Sequence, residues 1–391
     1  MANADFPSLS MEFAGAWLRD ARRTKRLMRI ADAAAAAPAD SLPDRARTES
    51  ELEATYRFVG NEGVMPEDVA EAHIERTTAR AAEEGVVLVL HDTTDFTFGG
   101  DEVRAGLGRG VGSQQGFFAH MSFCVSLTGR PLGLAELYAW TRPFQERKGR
   151  RSQQTSQSDP DRESQRWLES IEKVEERFLG KASAIHVQDR EGDIYEQFAF
   201  LVEDGRRFVI RLAHDRRLTA NQRVKASEVD KLYERLQAAP VFLEREVILG
   251  RRRKSQAKTA FPARESRHAT LAIRAQTIEI FIGNGAPAHL PPSLKLNFVE
   301  AREINPPEGC EPVIWRLVTT EPIDTPEQVA TVVDAYRHRW LIEEYFKALK
   351  TGCNYEALQL ESAQALLVML AIDCAVAWRL LLLRWLERHQ P

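Results

Sequence analysis

The stretch Val86-Val87-Leu88-Val89-Leu90-His91-Asp92-Thr93-Thr94 settles the fold class of this 391-residue chain. Its five successive apolar residues match a strand buried on both faces, as in a sheet with helices on each side. Upstream the pattern is helical. Phe13 to Ala37 has a basic first half and an alanine-rich end stopped at Pro38, a second helical stretch begins near Glu49, and a third covers roughly Pro66 to Glu84. These predict a small all-helical N-terminal domain. Downstream, strand-like runs at Phe117 to Leu127 and Leu132 to Trp140 flank the turn signal Thr128-Gly129-Arg130-Pro131. The polar segment Gln145 to Ser164 reads as a mobile surface insertion. A helix follows at Arg166 to Leu179, with Trp167, Leu168, Ile171, Val174 and Phe178 on one stripe. Strands are expected at Ala184 to Val187 and Phe208 to Leu212, a β-rich block from Val241 to Thr320, and helices from Pro326 onward. This order predicts an α/β fold, with a mixed core carrying a β-rich insertion at about 240–320 behind the helical domain.

With 43% hydrophobic and 28% charged residues, the composition is that of a globular protein of several domains. The four cysteines (Cys124, Cys310, Cys353 and Cys374) lack paired spacing, which argues against a disulfide framework or zinc site and fits a reducing cytoplasm. Early acids at Asp5 and Glu12 do not fit a signal peptide. The most apolar stretch, Ala365 to Leu383, is interrupted by Asp373 and Arg379, so a buried or partner-facing helix is expected rather than a membrane span. A net charge of −4 does not by itself suggest a nucleic-acid partner. Phosphates are neutralised by local basic surface, however, and such clusters occur at Arg19 to Arg29, Arg147 to Arg151, and Arg251 to Lys254. Taken singly, such a cluster is more often a solvated face.

Two acids stand at the ends of expected strands: Asp92, and Asp189 in Gln188-Asp189-Arg190-Glu191-Gly192-Asp193. Open α/β sheets place their sites just past the carboxyl ends of strands. Turn-forming or helix-capping aspartates look the same in a sequence. The third element is the helical run Tyr336-Arg337-His338-Arg339-Trp340-Leu341-Ile342-Glu343-Glu344-Tyr345-Phe346-Lys347-Ala348-Leu349-Lys350. At about 100° per residue, Tyr336, Arg339, Glu343 and Lys350 fall within a sector of about 60°, and Glu344 points away. That face presents an aromatic, a carboxylate and two cations; a solvated helix with an i,i+4 ion pair has the same pattern. Three carboxylates can hold two magnesium ions for phosphoryl transfer on DNA, since magnesium takes oxygen ligands and keeps several waters. Arg339 and Lys350 would then grip phosphates beside the scissile bond.

These residues resemble the DDE transposases of bacterial insertion sequences, in the group with a Tyr-Arg-Glu-Lys signature that includes the transposon-five enzyme. Tyr336, Arg339, Glu343 and Lys350 stand at the spacing of that signature, and Asp92-Thr93-Thr94 and Asp189-Arg190-Glu191-Gly192-Asp193-Ile194 match its two aspartate motifs. The likeness extends to Arg22-Arg23-Thr24-Lys25-Arg26-Leu27, Tyr56-Arg57-Phe58 and Glu303-Ile304-Asn305-Pro306-Pro307, and so covers nearly the whole chain.

The resemblance implies an RNase H-like catalytic core at 71–361, an end-binding helical domain at 1–70, and a C-terminal helix at 362–391 as a dimer contact. It implies Asp92, Asp189 and Glu343 as catalytic acids and ligands of two Mg2+ ions, with Mn2+ able to substitute. It implies Trp315 in a pocket for a flipped base, whose unstacking an aromatic offsets, although Trp315 also fits an ordinary strand core. Tyr336 and Arg339 would hold that nucleotide's phosphate, with Lys350 nearby, and Arg211 falls where the family has a DNA-contacting arginine. Arg22, Arg26 and Arg57 would contact the terminal inverted repeats. The implied partners are repeat and target DNA and a second copy of the chain, in a bacterial cytoplasm at the nucleoid, with no membrane. Two departures stand out: Ala213 replaces a second basic residue of the family, and relatives continue past the equivalent of Leu386 into a dimerisation domain, so either Ala365 to Leu386 suffices for pairing or dimerisation is weak or differently built. The expected function is an endonuclease and strand-transferring transposase that works through a hairpin. Two other functions fit parts of the sequence: a shortened, non-catalytic DNA-binding inhibitor of transposition, and an RNase H-like nuclease without strand transfer.

Overall fold

The computed structural model describes residues 8–100, 103–110, 114–144, 163–219, 230–250, 265–283 and 287–389. Residues 145–162 of the polar insertion expected at Gln145 to Ser164 lie outside the described residues, its last two residues begin a helix, and the basic clusters Arg147 to Arg151 and Arg251 to Lys254 also lie outside them. In chain order the helices are α1 (Ala21–Ala36), α2 (Leu42–Arg45), α3 (Glu49–Val59), α4 (Pro66–Glu84), α5 (Glu163–Phe178), α6 (Tyr195–Glu203), α7 (Leu232–Ala238), α8 (Pro326–His338), α9 (Trp340–Lys347) and α10 (Ala363–His389). The strands are β1 (Val86–Phe98), β2 (Gly108–Arg109), β3 (Gln115–Ser126), β4 (Pro131–Trp140), β5 (Ser183–Gln188), β6 (Arg207–Arg211), β7 (Val241–Leu249), β8 (Arg267–Phe281), β9 (Ser293–Ile304) and β10 (Ile314–Thr319). The protein is therefore mixed α/β with a helical N-terminal region.

The chain divides into two compact units, residues 1–185 with 338–391, and residues 186–337. In the first, β3 pairs antiparallel with β1 on one side and with β2 and β4 on the other. β4 packs against α4, and α10 packs against both α4 and β4 while also touching α1 and α3. Helix α1 begins at Ala21 rather than near Phe13, because Arg19 adopts a left-handed φ of 61° and Asp20 caps the helix by accepting the Arg22 amide. Its apolar stripe, Leu27, Ile30, Ala31 and Ala34, is buried, while Arg22 and Arg29 are exposed.

Helix α10 is long and apolar enough by composition to cross a bilayer, but 72% of its most apolar window is buried, as in a core helix. Buried Asp373 faces Arg45, whose Nη1 is 3.7 Å away. Burial pushes the Asp373 carboxyl up to about 7, against the pull of Arg45.

β1 is longer than its apolar run suggests. Beyond Asp92, the alternation of Thr94, Phe96 and Phe98 inward with Asp95 and Thr97 half-exposed continues the strand, and β3 stays in register from Val87↔Ser126 to Phe98↔Gln115. Asp92 therefore sits within a paired strand, opposite Met121, and does not close it.

In the second unit, β6, β10, β9, β8 and β7 form an antiparallel sheet in that order, so the β-rich block is one continuous run of neighbouring strands. The expected helical run from Tyr336 is divided. α8 ends at His338, α9 starts at Trp340, and Ala348–Gly352 forms a π-helical turn. A single 100° wheel therefore does not set the direction of all four signature residues.

Candidate active site and nucleic-acid interface

In the first unit, α9 packs against β1. Ile342, Tyr345 and Phe346 are buried at the i, i+3, i+4 spacing of one helix face. Tyr345 stacks on Phe123 of β3 at 4.3 Å between ring centroids and donates its hydroxyl to the Cys374 carbonyl of α10 at 2.9 Å. With α9 fixed in this way, Glu343 is left on its partly exposed side. The Arg339 guanidinium then joins the two acids: Nη1 is 3.2 Å from Asp92 Oδ2, and Nη2 bonds Glu343 Oε1. Asp92 Oδ1 also accepts the Thr93 amide at 2.8 Å. The three side chains are 19% (Asp92), 12% (Arg339) and 36% (Glu343) exposed, so solvent reaches the acids while the arginine is mostly covered.

Lys350 lies in the π-helical turn, a local irregularity that often accompanies functional sites. Its ammonium is 3.6 Å from Asp95 and 3.9 Å from Glu356, and it lies over the Phe96 ring at 5.4 Å. Arg22 is highly exposed and paired with Asp20; Arg57 is 75% exposed, 4.0 Å from Glu53. Arg26 lines a cavity of about 400 Å³ with Arg29, Arg45 and Arg47.

In the second unit, Asp189 directly follows β5 and caps a short turn at Arg190–Gly192, accepting the Glu191 amide at 2.8 Å. Trp315 is half-buried in β10 and meets Tyr336 edge-on at 6.0 Å. Arg211 reaches the same tyrosine ring, also at 6.0 Å, and donates to the Ile314 carbonyl at 3.3 Å. A cavity of about 200 Å³ is lined by Arg190, Arg211, Leu212, Ala213, Tyr233, Ile314 and Arg316. Burial, and then the charge of Arg211, holds the Arg190 guanidinium below its usual value. Arg316 stacks on Tyr233 at 3.8 Å and pairs with Glu300 at 2.7 Å. Sequence reading missed Arg190, Tyr233 and Arg316. Only Arg190 carried a signal, its place beside Asp189; the other two reach the cavity through tertiary pairing.

Of the expected triad, Asp92 and Glu343 are thus brought to one guanidinium in the first unit, and Asp189 belongs to the second. Among the described residues, no set of three or more His, Cys, Asp or Glu side chains forms a metal-ligating group. Asp92 and Glu343 themselves suit a hard divalent cation, being partly exposed carboxylates that offer only oxygen donors.

Two family models match the chain. The transposase DNA-binding model covers residues 8–64, which include Arg22, Arg26 and Arg57. The transposase DDE domain model covers residues 162–378, more than half of the chain, including Asp189, Arg211, Trp315, Tyr336, Arg339, Glu343 and Lys350; Asp92 precedes that match. The chain belongs to the DDE transposase family, whose members are DNA-binding, DNA-cleaving enzymes of transposition that use divalent metals.

Proposed function

We propose that this chain is a cut-and-paste transposase of the Tyr-Arg-Glu-Lys group, a relative of the transposon-five enzyme, with an RNase H-like core at 71–361. The observation that carries this reading is the arrangement of Asp92 and Glu343 around Arg339, which unites two of the family's acids with its signature arginine. Asp92, Asp189 and Glu343 would hold two magnesium ions, replaceable by manganese, which would activate the attacking water or 3′-hydroxyl and neutralise the leaving oxygen. Residues 1–70 would bind the terminal inverted repeats through Arg22, Arg26 and Arg57. Trp315 would stack on a flipped base near the transposon end, with Tyr336, Arg339, Lys350 and Arg211 on its flanking phosphates. Arg190 and Arg316, on the cavity that Ala213 also lines, would supply the positive charge missing at that position. After the first nick, the freed 3′-hydroxyl attacks the opposite strand to give a hairpin, which is reopened before joining to target DNA. Two copies would pair through the part of 362–391 that stays exposed, around Leu383, and the enzyme would work at the nucleoid of a bacterial cytoplasm.

The test is a magnesium-dependent cleavage assay run beside a gel-shift assay, on DNA taken from the repeats flanking the gene. Asp92→Ala, Asp189→Ala and Glu343→Ala should each abolish cleavage and leave end-binding intact. Retained cleavage by Asp189→Ala refutes the triad. Binding without cleavage by the native chain points to an inhibitor of transposition, and cleavage without joined products points to a nuclease.

A further inference from the structure

Asp92 and Glu343 can serve as metal ligands, the reading on which this inference rests, only when both carboxylates turn towards a cation. The structure already has a cation between them. Arg339 reaches one acid with each terminal nitrogen of its guanidinium and is only 12% exposed, so the ion pairs are partly shielded from solvent. The planar fork allows this double contact; a lysine ammonium at the end of a single stem could not reach both acids in the same way.

We infer that Arg339 is an internal counter-ion that competes with the divalent metal for Asp92 and Glu343. Asp92 Oδ2 and Glu343 Oε1 are committed to the guanidinium, and its positive charge repels a second cation placed between the same acids, so a metal bridging them competes with the arginine. A phosphate that draws Arg339 away removes that competition. Metal and DNA therefore reinforce each other's binding, because each breaks the same ion pairs and whichever binds second finds them broken. Arg339 is thus a positioning residue, which keeps the acids closed to metal until an anion claims it.

A structural arginine would leave metal affinity unchanged or lower on removal; a competing one raises it. The test titrates the full-length protein with Mn2+ alone, without DNA, following free Mn2+ by electron paramagnetic resonance. Arg339→Gln and the better-packing Arg339→Met should bind Mn2+ roughly tenfold more tightly than the native chain, the factor expected when two partly exposed ion pairs, together worth about 1.4 kcal/mol, no longer have to be broken. Arg339→Lys, which keeps a charge without the fork, should fall between. Equal or weaker Mn2+ affinity in the folded variants overturns the inference. Asp92→Asn separates the counter-ion role from the metal site itself. If it removes Mn2+ binding while the arginine variants behave like the native chain, the metal site stands and the counter-ion role falls. If Mn2+ binding is indifferent to Asp92→Asn, the metal site is wrong and the inference falls with it.

Discussion

Glu12 lies buried below the N-terminal helices, accepting from His73 Nδ1 at 2.8 Å and from Arg80 at 2.8 Å. Burial alone would raise its carboxyl, but the hydrogen bond from His73, helped by Arg80, outweighs this and brings it down to about 2. Burial pushes the His73 ring down, and its Nε2 accepts the Leu134 amide, so the ring is neutral with its proton on Nδ1. Because the folded value lies below the ordinary 4.5, Glu12 stabilises the fold above that pH, and the contribution fades as pH falls from 4.5 to 2. Glu12→Gln should cost about 3 kcal/mol at pH 7 in urea unfolding, a deficit that closes at pH 2 to 3. The thiols divide just as clearly. Burial raises Cys124, Cys353 and Cys374, the last to about 12, while Cys310 is exposed. An aromatic disulfide reagent should modify Cys310 alone in the native protein and all four after unfolding. At this scale the sequence made the Arg339 and Glu343 pair legible, since four residues of helix bring them together. Asp92 as the second partner was not legible as a contact, because it depends on α9 docking on β1.

Most helices and strands were readable from apolar period and turn residues. Pro38 stops the first N-terminal helix pattern, although its capped start at Asp20 was not read, and Trp167, Ile171, Val174 and Phe178 mark the buried stripe of α5. The errors share a cause. The threonine-rich end of β1 is held by cross-strand pairing with β3, and the break between α8 and α9 and the π turn at Ala348–Gly352 interrupt a run whose residues read as one helix; neither leaves a periodic signal. Gly133 in β4 has a comparable dependence on its neighbours. Its φ is +134°, and an added Cβ would stand 2.2 Å from Thr77 Oγ1 and 3.1 Å from the His73 ring. Gly133→Ala should therefore lower stability by roughly 3 kcal/mol or more, read from the shift in thermal unfolding, as α4 is pushed off the sheet.

For the molecule as a whole, the net charge of −4 means that DNA binding must come from local cations. Removing exposed Arg22 or Arg57 should weaken binding to all sequences alike and lower the slope of log affinity against log salt by about one each. The α/β class and the helical N-terminal region were legible from element order alone. The division into units of 1–185 with 338–391, and of 186–337, was not, because it depends on the chain returning to its first unit after a long excursion. That return bears on synthesis. Helix α10 packs on α1, α3 and α4, and Arg45 meets Asp373 across a gap of more than three hundred residues in sequence. While the ribosome is still making residues 186–337, the N-terminal helices matched by the DNA-binding model lack the apolar surface on which they rest. Their packing is completed only once α10 has emerged, so a nascent chain halted before Ala363 should leave residues 8–64 open to proteolysis. A truncated translation product would thus be cleared before it could bind DNA.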